Sequence, residues 1–144
     1  MRDMESYLLD TNIISELRKS RPNEQVIDFV KGHETRRLFI SVMTIGELRR
    51  GAEKPRLTGP AYSKVLHEWV DEIESTYAQQ ILPIDLLTAR IWGELSSTRS
   101  RPIVDTLLAA TSIANNLTLV TRNVIDVGDI PLRVLNPWDE TTYK

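Results

Sequence analysis

Five short apolar runs, separated by stretches of helical spacing, constrain the fold of this 144-residue chain more than any other feature. They are Tyr7-Leu8-Leu9, Leu38-Phe39-Ile40-Ser41-Val42, Ile81-Leu82-Pro83-Ile84, Leu117-Thr118-Leu119-Val120 and Arg133-Val134-Leu135. Runs this short, bounded by polar residues, read as buried strands rather than helices. Pro83 lacks a ladder donor, which suggests an edge position for the third. The intervening segments place apolar residues on one helical face: Ile13, Ile14 and Leu17; Val26, Ile27, Phe29 and Val30, started by Asn23 and ended at Gly32; then Met43 to Gly51. A longer helix carries Tyr62, Val65, Leu66, Trp69, Val70, Ile73 and Tyr77, and another, capped by Asp85, runs through Leu87, Ile91, Trp92 and Leu95. Val104 to Ala114 is small and apolar nearly all round, as a buried helix should be, and Asn115-Asn116 turns it into the fourth run. Strands alternating with helices imply an α/β fold, a parallel sheet covered on both faces. Residues 1–144 show no repeat and no linker, so a single domain is expected.

The first run ends on a chemical signal. Asp10, Thr11 and Asn12 follow Leu9 directly, at the strand end where open α/β sheets bind ligands. In a right-handed β-helix-β sheet the residues just after each strand share one edge. Glu47 lies early in the helix after the second run, and Asn123 and Asp126 follow the fourth. The helix from Val104 must finish at the opposite edge to feed the fourth run, so its first residues, including Asp105, return to the first edge. Topology alone therefore gathers Asp10, Glu47, Asp105 and Asp126 on one side of the sheet.

Like charges a few ångströms apart raise one another's pKa, so such a cluster is costly without a cation. An all-oxygen donor set suits Mg²⁺ or Mn²⁺ rather than zinc. A divalent ion held by carboxylates activates water and stabilises charge on a phosphoryl group, which makes metal-assisted phosphodiester hydrolysis the chemistry that fits. With no cysteine in the chain, disulfides, thiolate metal sites and cysteine nucleophiles are excluded. The net charge of −2 runs against nucleic-acid binding, yet setting the four acids aside leaves a small basic excess that permits phosphate contacts. No glycine-rich phosphate loop or nucleophile elbow is present. A haloacid-dehalogenase-type phosphotransferase wants a second Asp where Asn12 stands, and a receiver domain wants a Lys where strand four instead ends in Thr121-Arg122.

Each acid also has a plain structural reading. Asp10 or Asn12 caps a helix, Thr44-x-x-Glu47 forms a capping box, Asp105 is an N-cap, and Asp126 is a turn residue beside Gly128 and Asp129. Glu68, Asp71, Glu72 and Glu74 read as a solvated face, Arg18, Lys19 and Arg21 as a solvated helix end, and Trp69 and Trp92 as core. His33 and His67 stand at polar positions with no catalytic role. The leading Met1-Arg2-Asp3-Met4-Glu5 lacks the apolar core of a signal peptide and no stretch is long enough to span a bilayer, so a cytoplasmic protein is expected.

Taken in order, four segments resemble the motifs of PIN-domain ribonucleases, specifically the VapC toxins of bacterial toxin–antitoxin pairs. They are Leu8-Leu9-Asp10-Thr11-Asn12-Ile13-Ile14-Ser15, Thr44-Ile45-Gly46-Glu47-Leu48-Arg49-Arg50-Gly51, Asp105-Thr106-Leu107-Leu108-Ala109-Ala110-Thr111 and Leu119-Val120-Thr121-Arg122-Asn123-Val124-Ile125-Asp126. Asn136-Pro137-Trp138 resembles the ending of one VapC-like subgroup. Each motif is weak, whereas the ordered set is specific. The resemblance implies a five-stranded parallel sheet and a Mg²⁺- or Mn²⁺-dependent endoribonuclease acting on RNA. It also implies a homodimer and a small VapB-type antitoxin through which alone the chain meets DNA. Asp10, Glu47 and Asp105 carry over as the acidic triad, with Asp10 and Asp105 as metal ligands. The fourth position falls to Asp126 or to Asn123. Thr11, Asn12, Thr121 and Asn123 are the expected neighbours, touching substrate or supporting the acids. The antitoxin's C-terminal segment is expected to lie along the helices from Ile13 to Val30 and the Tyr62–Tyr77 helix and to aim a basic side chain at the acids. A reading from a different class is a PIN-fold binding module, an antitoxin-held subunit of a DNA-bound repressor with little catalysis.

Overall fold

A computed structural model of the chain describes residues 5–139 with their side chains and 141–143 as backbone. The leading Met1–Met4 segment discussed above lies outside the described residues. The elements run β1 (Tyr7–Leu9), α1 (Thr11–Arg18), α2 (Glu24–Lys31), β2 (Leu38–Ser41), α3 (Val42–Glu53), α4 (Pro60–Thr76), β3 (Ile81–Leu82), α5 (Leu86–Thr98), α6 (Ile103–Ala114), β4 (Thr118–Val120), β5 (Val134–Asn136) and β6 (Thr141–Tyr143). A 3-10 turn, Val124–Val127, follows β4. Strand order is β3-β2-β1-β4-β5-β6. The first five strands pair in parallel, as expected, with β3 at an edge. A sixth strand, not anticipated, pairs antiparallel with β5 and covers the other edge.

β1 is the centre of the sheet because it is apolar on both faces. Its alternation sends Tyr7 and Leu9 to one side, where they pack with Ile13, Ile14, Val26, Leu48 and Val70 from α1 to α4. Leu8 points the other way, into a second core with Leu108 and Ala109 of α6. Leu8 and Leu9 are both 0% exposed, and full burial of such a side chain contributes about 1.5–3 kcal/mol. The helices thus cover both faces. The buried helix expected from Val104 is α6, in which Leu108, Ala109, Ala110, Thr111 and Ser112 are all inaccessible. The Asn115-Asn116 turn is present, with Asn116 at φ 54°, a left-handed conformation that asparagine tolerates better than most residues. Among the described residues no helix is long and apolar enough to cross a membrane.

Several local expectations are corrected. Ser41, not Thr44, caps α3, accepting the Met43 N–H at 2.9 Å. Thr44 is a fully buried interior residue of that helix, so there is no Thr44–Glu47 capping box. The α4 stripe is only partly core: Val70 and Tyr77 are buried, whereas Tyr62 and Val65 stay exposed. Asp71 and Glu74 are not merely solvated, because Arg49 of α3 donates to both, at 2.6 and 2.7 Å. His67 joins this clasp through Arg49, 3.0 Å from its Nδ1, and meets Glu53 at 2.7 Å through Nε2, and His33 packs edge-on against Tyr7. Both histidines serve structure.

Candidate active site

The order of the sheet sets the location. From β1 the chain steps outward through β2 to β3, then returns to the other side of β1 with β4. The carboxyl ends of β1 and β4 therefore diverge at a switch point, the place where open α/β sheets bind ligands. Asp10 leaves β1 there and Thr121 leaves β4. A small crevice between them is lined by Asp10, Asp105, Leu108, Leu119, Thr121, Asn123 and Val127. A larger open cavity, about 870 Å³, lies at the opposite end of the strands around Glu5, Asn115, Asn116 and Arg133. None of the four clustered acids lines it.

Asp10 is both helix cap and site residue. One carboxylate oxygen accepts the Thr11 N–H at 2.6 Å and the other accepts the Thr121 hydroxyl at 2.7 Å. The Asn12 amide stands 3.4 Å from the same second oxygen. Only 7% of Asp10 is exposed. Burial pushes its pKa up, the Thr121 and Thr11 hydrogen bonds oppose that, and the Glu47 charge adds to the rise. Thr121 has a second role: its oxygen accepts the Asn123 N–H at 2.9 Å, and Asn123 in turn donates its side-chain amide to Asp105 at 3.1 Å.

Asp105 sits in the first turn of α6, three residues past the capping position, which Pro102 occupies. It is therefore not an N-cap. Burial, followed by the charges of Asp10, Asp126 and Glu47, lifts its pKa from 3.8 to about 6. Asp126 reaches Asp105 from the 3-10 turn, and the contact between the two carboxyls adds to that rise. Of the two candidates for the fourth position, Asn123 lines the crevice and Asp126 supplies charge beside it. Glu47 is joined to the site through Thr11, whose hydroxyl donates to it. Thr44, whose hydroxyl stands 3.2 Å from that of Thr11, is the supporting residue that sequence reasoning missed. Its spacing three residues before Glu47 placed both on one helical face and was the signal available.

The segment carrying these groups is tied down from outside. Arg99 and Arg101, from the loop between α5 and α6, both hold Asp129, Arg99 at 3.1 Å and Arg101 at 2.9 Å. Arg101 also donates to the Leu95 carbonyl at 2.9 Å. These guanidiniums keep the Asp129 carboxyl well below the usual range. Thus the entry to α6, with Asp105, and the turn after β4, with Asp126, are held to each other.

All-oxygen donors of unmet negative charge, two of them in one crevice, suit a hard divalent cation. Among the described residues no three His, Asp or Glu side chains converge into a complete metal cage.

Comparison with known proteins gives a consistent answer. The PIN domain family matches residues 7–124. Toxin FitB of Neisseria gonorrhoeae is 33% identical over 139 residues, covering 92% of this chain and 99% of its own. VapC ribonuclease Y4jK of Sinorhizobium fredii is 30% identical over 138 residues, covering 92% of this chain and 97% of its own. Among solved structures, FitAB bound to an IR36 DNA fragment superposes with a TM-score of 0.82 at 30% identity, covering 92% of this chain and 95% of that one.

Proposed function

The chain belongs to the PIN-domain family, and from that premise we propose that it is a VapC-type ribonuclease toxin, a metal-dependent endoribonuclease of the cytoplasm restrained by a cognate antitoxin. One observation carries the reading: Asp10 and Asp105 line one crevice at the sheet's switch point, each with raised proton affinity. Asp10 and Asp105 would hold Mg²⁺ or Mn²⁺. When bound, the ion supplies an activated water and charge stabilisation for phosphodiester hydrolysis. Thr121 and the Thr11 N–H fix the Asp10 carboxylate, Asn123 fixes Asp105, and Glu47 and Asp126 complete the negative field that attracts the cation. Asn12 stands beside Asp10 at the entrance, where it can meet substrate.

The names of the relatives support the substrate and partner assignments. A toxin and a VapC ribonuclease are the similar chains, and a similar structure is a complex on DNA. On this reading RNA is the substrate, a VapB-type antitoxin is the partner, DNA is met only through that antitoxin, and the active unit is a homodimer. The test is cleavage of RNA by the purified protein with Mg²⁺ or Mn²⁺. EDTA, Asp10→Asn and Asp105→Asn should each abolish cleavage while circular dichroism stays native. Full activity in both variants would end the metal-nuclease reading.

A further inference from the structure

An acidic site that handles a polyanion needs a cation to receive the strand. Most arginines near the site are already committed: Arg49 to Asp71 and Glu74, and Arg99 and Arg101 to Asp129. Arg122 differs. It directly follows Thr121, the residue that holds Asp10, and its backbone N–H stands 3.5 Å from the Asn12 side-chain oxygen. Its guanidinium lies over the Trp138 ring, 4.8 Å from the centroid. Among the described residues no carboxylate comes within ion-pair distance of it. Glu16, whose charge it feels, is taken by Lys19 at 2.8 Å and by the Asn23 N–H at 2.9 Å.

The platform under Arg122 is built rather than incidental. Thr121 N–H donates to the Leu135 carbonyl at 3.0 Å, which brings the ends of β4 and β5 together. The side-chain oxygen of buried Asn136 then accepts the Trp138 backbone N–H at 3.0 Å and fixes the start of the turn carrying the indole. Trp138 packs against the core beneath. A guanidinium stacked on a ring keeps its N–H edge free and loses little further freedom when that edge is used. We propose that Arg122 binds a backbone phosphate of the RNA strand crossing the acid crevice, and that Trp138 is a positioning residue that sets the guanidinium plane. The proposal rests on the ribonuclease reading and adds to it a contact on the β4–β5 side of the site.

The experiment uses the full chain carrying Asp105→Asn, so that RNA is bound and not cut, with a fluorescein-labelled single-stranded RNA as probe. Adding Arg122→Ala should weaken binding about tenfold, as expected for losing one charge-assisted contact. It should also reduce the slope of log affinity against log salt by about 0.7, one phosphate's worth for a single strand. Arg122→Lys should keep the salt slope and lose part of the affinity, and Trp138→Phe should bind more tightly than Trp138→Leu at equal melting temperature. In the active protein Arg122→Ala should raise KM with kcat little changed. Unchanged affinity and salt slope in Arg122→Ala would overturn the proposal, as would a fall in kcat alone. Failure of the wild-type chain to cleave RNA would instead refute the nuclease reading, while the salt slope still decides the Arg122 contact.

Discussion

Replacing Asp105 by Asn should stabilise the metal-free protein, although it removes a residue central to the site. The folded-state pKa of Asp105 is raised from 3.8 to about 6, so the fold holds the proton more tightly than the unfolded chain does. The ionised form therefore works against folding. Its cost is absent below pH 3.8, grows as pH rises through about 6, and is fully present at neutral pH. At about 1.36 kcal/mol per unit the shift corresponds to roughly 3 kcal/mol. Asp105 is only half-buried, and solvent screening reduces this to about 1–2 kcal/mol. Asn keeps the shape and still accepts the Asn123 amide. Thermal unfolding in EDTA should show Asp105→Asn melting roughly 3–6 °C above wild type at pH 7.5 in a chain of this size, with the gap closing toward pH 4. A variant that melts at or below wild type at pH 7.5, with no dependence on pH, would refute the electrostatic account of the crevice.

Thr121→Val removes the hydroxyl that serves Asp10 and the Asn123 N–H at once. It should cost about 1–3 kcal/mol in denaturant unfolding and lower RNA cleavage more than it lowers stability. Thr11→Val frees the Glu47 carboxylate, and cleavage should fall about tenfold, the equivalent of one charge-assisted hydrogen bond, with the melting temperature nearly unchanged. Asp129→Asn unties Arg99 and Arg101. Because the Asp129 pKa is depressed in the fold, its stabilisation is present above about pH 4 and is lost as pH falls. The variant should therefore melt below wild type at neutral pH, and the gap should narrow in strong acid and in high salt.

The parts of the fold that were legible are those where burial leaves a continuous mark. β1 and β4 are buried on both faces, so their runs are almost wholly apolar, Thr118 being the polar exception, and α6 is small and apolar nearly all round because it is packed on both sides. Handedness and strand order led us to expect Asp10, Glu47, Asp105 and Asp126 at one edge; Asp10 and Asp105 do line one crevice, whereas Glu47 is joined to it through Thr11 and Asp126 stands beside Asp105. What escaped was tertiary. β6 has the sequence Thr141-Thr142-Tyr143 and no apolar run, since an edge strand needs only backbone partners. Asp71 and Glu74 looked like any solvated acids because their partner Arg49 lies on another helix. Thr44 fitted a capping box in one dimension, yet the helix starts at Ser41 and Thr44 faces Thr11. The α4 stripe was read correctly as a face, but periodicity does not say how much of that face a neighbouring element covers.

The central claim is that Asp10 and Asp105 form a divalent-cation site, and calorimetric titration of the wild-type chain and of Asp10→Asn and Asp105→Asn with Mn²⁺ tests it most directly. The wild type should give a saturable isotherm, and each variant should bind at least about tenfold more weakly, the loss expected when one of two charged ligands becomes neutral. Equal Mn²⁺ affinity in all three proteins would contradict the account.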